Sequence, residues 1–205
     1  MAMQDYHVDL KWLNQTSIRD KELDFLVRDK RTPWNLYSNP VEQGKKLRIS
    51  LRGAGAELEA ESIVEGLGTN VKRQVKMGTS EIDYEVTIAG KPRGFEVKGW
   101  TADTWEKALD AAIKRLNKKG LTAAEKKGVQ KIDHMLGQLQ NAQVAKGASP
   151  YLGITDALNK SGRDKLARLL KTEGLGGTEV VTISEAKIKE AAAGRIGESL
   201  GIPRP

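Results

Sequence analysis

The sequence predicts an α/β fold, with α+β features, built on a central mixed β-sheet flanked by helices. Three observations carry that expectation. Ser80 to Trp100, SEIDYEVTIAGKPRGFEVKGW, reads as two strands joined by a tight turn. The segments on either side, 52–67 and 103–145, repeat apolar residues at helical spacing. Short apolar runs at Pro150–Ile154 and Glu179–Ile183 read as further strands alternating with helices.

Residues 1–50 read as an N-terminal extension. Asp20–Arg28 suits a short helix with Leu23, Leu26 and Val27 inward. Arg31–Pro40 is loop chemistry, with Trp34 and Tyr37 as its packing residues. Residues 51–205 read as one domain. Its first helix carries Ala56, Ala60, Ile63, Val64 and Leu67 on one face and stops at Gly68. Val71–Val75 is a first strand. In the next, Ile82, Tyr84 and Val86 alternate with Glu81, Asp83 and Glu85, the period of a half-buried strand. Ala89-Gly90-Lys91-Pro92 is the turn. Phe95 and Val97 then alternate with Glu96 and Lys98.

After this hairpin, Trp105, Leu109, Ala112, Ile113 and Leu116 form one face of a helix over Asp103–Lys119. Thr122 with Glu125 three residues on is a capping box for the next helix. Its stripe is Val129, Ile132, Leu136 and Leu139, with Gly137 as a mild interruption. Ser161 with Asp164 opens another helix, with Leu166, Leu169 and Leu170 inward, and Gly174–Gly177 ends it. Ser184 begins a last helix running to about Leu200.

Composition narrows the chemistry. The 205 residues are 39% hydrophobic and 30% charged, with no apolar run long enough to span a bilayer and no secretory leader at the start. With no Cys, disulfides, thiolate zinc sites and a Cys nucleophile are excluded. The two His, His7 and His134, are far apart and disfavour a His-based metal site or a Ser-His-Asp triad. The net charge of +7 suits a polyanionic ligand, nucleic acid first. The best phosphate-contacting surface is Lys114, Arg115, Lys118, Lys119, Lys126 and Lys127, within a stretch where bases outnumber acids.

If the two strands pair, Asp83 and the Glu96–Lys98 pair meet at one edge of the sheet. Two carboxylates and the Val97 carbonyl are hard oxygen ligands suited to magnesium or manganese. Such an ion polarises a phosphoryl oxygen and lowers the pKa of a bound water. Lys98 would orient that water or neutralise charge on the transition state.

Asp83, a turn, then Glu96-Val97-Lys98 resembles the PD-(D/E)XK nuclease superfamily. The Pro that often precedes the Asp is replaced by Ile82. The order helix, three strands, helix, strand is similar to that family's restriction-endonuclease-like core, and the resemblance covers Arg52 to Trp100. It implies a metal-dependent endonuclease with catalytic residues Glu57, Asp83, Glu96 and Lys98. Of these, Asp83, Glu96 and Glu57 would be ligands of Mg2+ or Mn2+. Glu61 is the runner-up to Glu57, and Glu59 lies on the other, solvated flank. Some of these nucleases carry a Gln from a later helix, and Gln138, Gln140 and Gln143 are all candidates. The layout also resembles toxin domains of bacterial contact-dependent inhibition systems. That implies transfer RNA or DNA as substrate and an acidic immunity protein as partner. It places the action in the cytoplasm of a target bacterium, after delivery as part of a larger secreted protein. A restriction or repair nuclease of a phage or chromosome, and a non-catalytic nucleic-acid-binding module, stand as alternatives.

Overall fold

The computed structural model describes residues 53, 56–57 and 59–188. The chain divides into two units, Met1–Glu59 with Ser184–Pro205, and Ala60–Ile183. The expectations for residues 1–50, including Trp34 and Tyr37, and for the last helix beyond residue 188 fall outside the described residues. In the first unit, residues 53, 56, 57, 59 and 185–188 are helical. Ser184 opens the latter turn: its Oγ accepts from the Lys187 N–H at 3.4 Å, and its carbonyl from the Ile188 N–H at 2.9 Å. Glu59, expected to be solvated, has 15% of its side chain exposed and lies 3.6 Å from Lys187. That is a correction, and the unlike charge of Lys187 answers part of its charge there.

The second unit opens on helix α1, residues 60–67, with Ala60 and Val64 buried. Gly68 stops it for a steric reason. A Cβ there would stand 2.2 Å from the Thr87 carbonyl oxygen, so only glycine lets the chain turn this closely onto the sheet. The strands are β1 (Thr69–Met77), β2 (Ser80–Ile88), β3 (Lys91–Lys98), β4 (Tyr151–Thr155) and β5 (Glu179–Ile183). They form one mixed five-stranded sheet in the order β1-β2-β3-β4-β5. β1, β2 and β3 are antiparallel neighbours; β3, β4 and β5 are parallel. Helices α2 (Ala102–Leu116) and α3 (Ala123–Lys146) connect β3 to β4, and α4 (Lys160–Thr172) connects β4 to β5.

Local chemistry explains the joints. Ile88 pairs with Lys91 around a two-residue turn, Ala89 at φ +49° and Gly90 at φ +76°. Positive φ at both positions matches the right-handed twist of the flanking strands. The turn is therefore shorter than expected, and Pro92 lies in β3 opposite Thr87. It is tolerated because β4 comes alongside only from Phe95 onward, so no ladder bond is asked of its missing N–H. The α3 capping box forms in both directions. Glu125 also binds Lys114, whose ammonium helps hold its carboxyl down at about 2. Helix α4 starts earlier than Ser161: the cap is Asn159, whose Oδ1 accepts from the Gly162 N–H at 2.8 Å.

The main core lies between α2, α3, α4 and the sheet. Trp105, Leu109, Ile132, Met135 and Leu139 meet Leu152 and Ile154 of β4 and Leu166 and Leu169 of α4. β4 is buried along its whole length, as a central parallel strand requires. Aromatic rings run across three strands: Tyr84 meets Phe95 edge-on at 6.4 Å, and Phe95 stacks on Tyr151 at 5.9 Å.

β2 is covered more fully than its alternation suggests. Glu85, on the acidic face, has only 7% of its side chain exposed. Helix α3 explains this by lying along the β2–β3 hairpin. Asn141 donates to Ser80 at 2.7 Å, Ala142 packs on Met77 and Ile82, and Lys146 pairs with Glu85. Lys146 and Lys72 hold the Glu85 carboxyl below its ordinary range. No helix among the described residues is long and apolar enough to cross a membrane.

Two glycines test this packing in opposite directions. A Cβ on Gly94 would stand 2.7 Å from the Ala142 Cβ and 2.8 Å from the Ile82 Cδ1, so Gly94→Ala must lift α3 from the sheet. It is expected to cost about 1–3 kcal/mol in urea unfolding. Gly137 has open space around the same added atom. Gly137→Ala is expected to stabilise by about 0.4–1 kcal/mol. The reverse order would place α3 wrongly on the hairpin.

Candidate active site

The site forms where the β2–β3 ladder opens. Pairing runs from Ile88–Lys91 to Tyr84–Phe95 and stops. The next position would set Asp83 opposite Glu96. There a carboxylate takes the place of a main-chain acceptor: Asp83 Oδ2 accepts from the Val97 N–H at 2.6 Å. On the other side of β2, pairing runs Arg73–Tyr84 and Val75–Ile82, and the intervening Gln74 sits at φ +49°. Left-handed backbone at a non-glycine inside a strand is uncommon and marks local distortion.

Ile82 packs with Ala142 of α3, and Glu85 pairs with Lys146 of the same helix. Residues three apart on a regular strand point to opposite faces. Ile82 and Glu85 nevertheless both reach α3, while the β1–β2 register stays continuous from Lys72–Glu85 to Met77–Ser80. Asp83 accepts from the Val97 N–H and lies close enough to Glu96 and Lys98 for their charges to act on one another.

The side chains there are mostly buried. Glu96 is fully buried, at 0% exposure, and Lys98 has 13% of its side chain exposed. Lys98 Nζ donates to Glu96 Oε1 and, at 3.1 Å, to Gln138 Oε1. Gln138 Nε2 in turn donates to the Glu81 carbonyl at 2.8 Å. The amide is engaged at both ends, which sets the direction from which the lysine is held. Glu96 Oε2 is buried and has no hydrogen-bond partner among the described residues. Burial, and next the negative charge of Asp83, push the Glu96 carboxyl up to about 8, against the pull of Lys98. Burial also raises Asp83, again opposed by Lys98. Two carboxylates thus share one ammonium in a desolvated place.

That donor set suits a hard divalent cation: two carboxylates, one with an unpartnered buried oxygen, and a shortfall of positive charge. Among the described residues no group of three or more His, Cys, Asp or Glu side chains is placed to hold a metal, so the carboxylate set in this unit is Asp83 and Glu96. Glu57 is helical and half-buried but belongs to the first unit. Glu61 is drawn to β1, where Arg73 Nε donates to its Oε1 at 2.8 Å.

Gln138 is the one of the three glutamines that reaches the site. Gln140 is exposed and Gln143 half-buried. A signal was present in the sequence: Met135, Gln138 and Ala142 recur at helical spacing, and all three are buried. A polar residue inside such a flank needs a partner. Of the expected phosphate contacts, Lys118, Lys119, Lys126 and Lys127 are exposed at and near the tip of the α2–α3 hairpin. Lys114 is paired with Glu125, and Arg115 holds Asp133 through two bonds of 2.6 and 2.7 Å. Their charge is already partly answered within the protein.

Comparison with known proteins finds no matching family model, no matching curated protein and no matching solved structure.

The charge balance makes a stability prediction for the metal-free protein. Lys98→Met leaves two buried carboxyl groups without their hydrogen-bonding cation and is expected to cost about 1–3 kcal/mol, a fall of roughly 3–10 °C in Tm. Glu96→Gln removes one of the repelling acids while keeping an oxygen for Lys98, and should melt at or above the parent at neutral pH. If Glu96→Gln were the more damaging change, the pair would be a structural ion bridge rather than a site short of positive charge.

Proposed function

We propose that the chain is a metal-dependent nuclease that hydrolyses phosphodiester bonds in transfer RNA or DNA. The observation that carries this reading is the meeting of Asp83, Glu96 and Lys98 where the β2–β3 ladder opens, with a Glu96 oxygen buried and unpartnered. Burying a carboxylate in this way costs stability, and such sites concentrate where chemistry is done. The order of elements adds support: a helix, three antiparallel neighbours, helices and a parallel strand follow the restriction-endonuclease-like layout that the motif implies.

Asp83 and Glu96 would hold Mg2+ or Mn2+, and the chemistry supplied by that ion is charge neutralisation at the phosphoryl group and a lowered pKa of bound water. Lys98 is the chain's own cation at the reacting centre. The hydrogen bond it donates to Gln138 Oε1 keeps it in place when the carboxylates are otherwise engaged. From there it stabilises negative charge that develops on the phosphoryl oxygens. Gln138 acts through Lys98 and is a positioning residue. The setting we propose is a toxin domain delivered into a target bacterium and neutralised by an acidic immunity protein. It rests on the basic balance and the absence of cysteine.

Plasmid DNA and total transfer RNA, each incubated with magnesium, manganese or chelator, test the activity. Cleavage of either polymer that is lost with chelator is the expected result; binding without cleavage under all conditions would instead indicate a binding module. Asp83→Ala should abolish cleavage. Lys98→Ala should lose about 100- to 1,000-fold in turnover with little change in affinity, and Lys98→Arg should rescue it poorly. Parallel loss of affinity and rate would reduce Lys98 to a phosphate contact.

The setting is tested by growth. Expression of the chain in bacteria without a partner should arrest them, and the Lys98→Ala variant at matched abundance should not. Normal growth with both removes the toxin reading while leaving a nuclease possible.

A further inference from the structure

Lys98 is the site's own fixed cation, and it serves the reacting phosphodiester; the neighbouring phosphates of a bound strand need fixed cations just outside the site. Helix α3 supplies them. Lys131 is seven residues before Gln138, two turns away on the same face of the helix. It is exposed, and no carboxylate pairs with it among the described residues, whereas Lys107, Lys114 and Arg115 all have acidic partners. Its ammonium lies 6.0 Å from the centroid of the Trp100 ring, within reach of a cation–π contact. Trp100 is the second residue after Lys98. Its own ring is anchored 4.5 Å from Trp105, which is fully buried in the main core. With the indole set against Trp105 and within reach of Lys131, it is suited to placing that ammonium. Lys127, one turn further out, continues the same face. Along the axis, Lys131 is about 10 Å and Lys127 about 16 Å from Gln138.

We propose that Lys131, positioned by Trp100, is the first backbone-phosphate contact beyond the reacting phosphodiester, and that Lys127 extends this track outward. The inference rests on the nuclease reading and adds to it the path of the substrate strand. The ligand is the phosphodiester backbone itself, so base sequence is not read here.

The test is binding of a short labelled DNA duplex and of bulk transfer RNA to the full chain, at about 50 and 200 mM salt. Lys131→Ala should weaken binding of whichever polymer the parent holds. The ratio of its Kd values at the two salts should fall about threefold relative to the parent, the loss of one phosphate contact. Turnover of saturating substrate should stay near the parent's. Lys131→Arg, which keeps the charge and the ring contact, should restore binding. Trp100→Leu should match Lys131→Ala, and the double variant should lose nothing more, because the indole acts through the lysine. Lys91→Ala, at the opposite end of β3 some 23 Å from Lys98, should leave both measurements unchanged. The proposal is overturned if Lys131→Ala binds like the parent with the same salt ratio. Additive losses in the double variant would equally remove the positioning role of Trp100. A parent that binds but never cleaves overturns the nuclease reading and leaves the track standing; a parent that binds neither polymer overturns both.

Discussion

The hydrogen bond from the Val97 N–H to Asp83 is the contact on which the rest of the site depends. In a continued ladder a main-chain carbonyl would accept that proton. A side-chain carboxylate in its place ends the pairing of β2 with β3 and fixes Asp83 between them. The residues beyond, Glu96 and Lys98, remain paired only on their other side, to Leu152 and Ile154 of β4. The sheet is therefore rigid on one flank of the site and open on the other. This is where buried charge can be held without breaking a ladder.

Helix α3 closes the arrangement. Its contacts run in order along the hairpin, from Lys146 on Glu85, through Ala142 above Gly94, to Gln138 on Lys98. The absence of a side chain at Gly94 lets the helix come this close. Close approach is what buries Glu96 and brings an amide within reach of the lysine. The charges so buried oppose folding, and the apolar core on Trp105 and β4 offsets them. Stability is supplied at one end of α3 and in the main core, and is given up at the site, a division common where function requires desolvated charge.

The same helix divides the basic residues into two populations. Lys114 and Arg115 face acids on α3, so they serve the α2–α3 hairpin as well as the surface. Exposed pairs of that kind contribute only about 0–1 kcal/mol each. Lys127 and Lys131 have no such partner among the described residues. A polyanion would meet their charge at full strength, with only salt to screen it.

The amino-acid sequence by itself determined the elements, because their signals are local. Period-two alternation marks β2 and β3, the Thr122–Glu125 box starts α3, and the unbroken apolar run at Tyr151 marks a strand buried on both faces. It also put Asp83 and the Glu96–Lys98 pair on adjoining strands, but their register was set by a turn of two residues rather than the four expected. Some local signals had a competitor close by: Asn159 rather than Ser161 caps α4, and the turn closes before Pro92, which lies within β3. Others were overridden from a distance: Glu85 is buried because α3 covers it. Choosing Gln138 over Gln140 and Gln143 required the helix to be docked, as did finding that Glu61 is engaged by Arg73 and Glu59 by Lys187. That Asp83 takes the Val97 N–H also came from the tertiary structure, since it depends on the β2–β3 pairing ending at Tyr84–Phe95. Residue spacing encodes which groups lie on one element; which groups meet across elements is decided by packing, and packing is a property of the whole core.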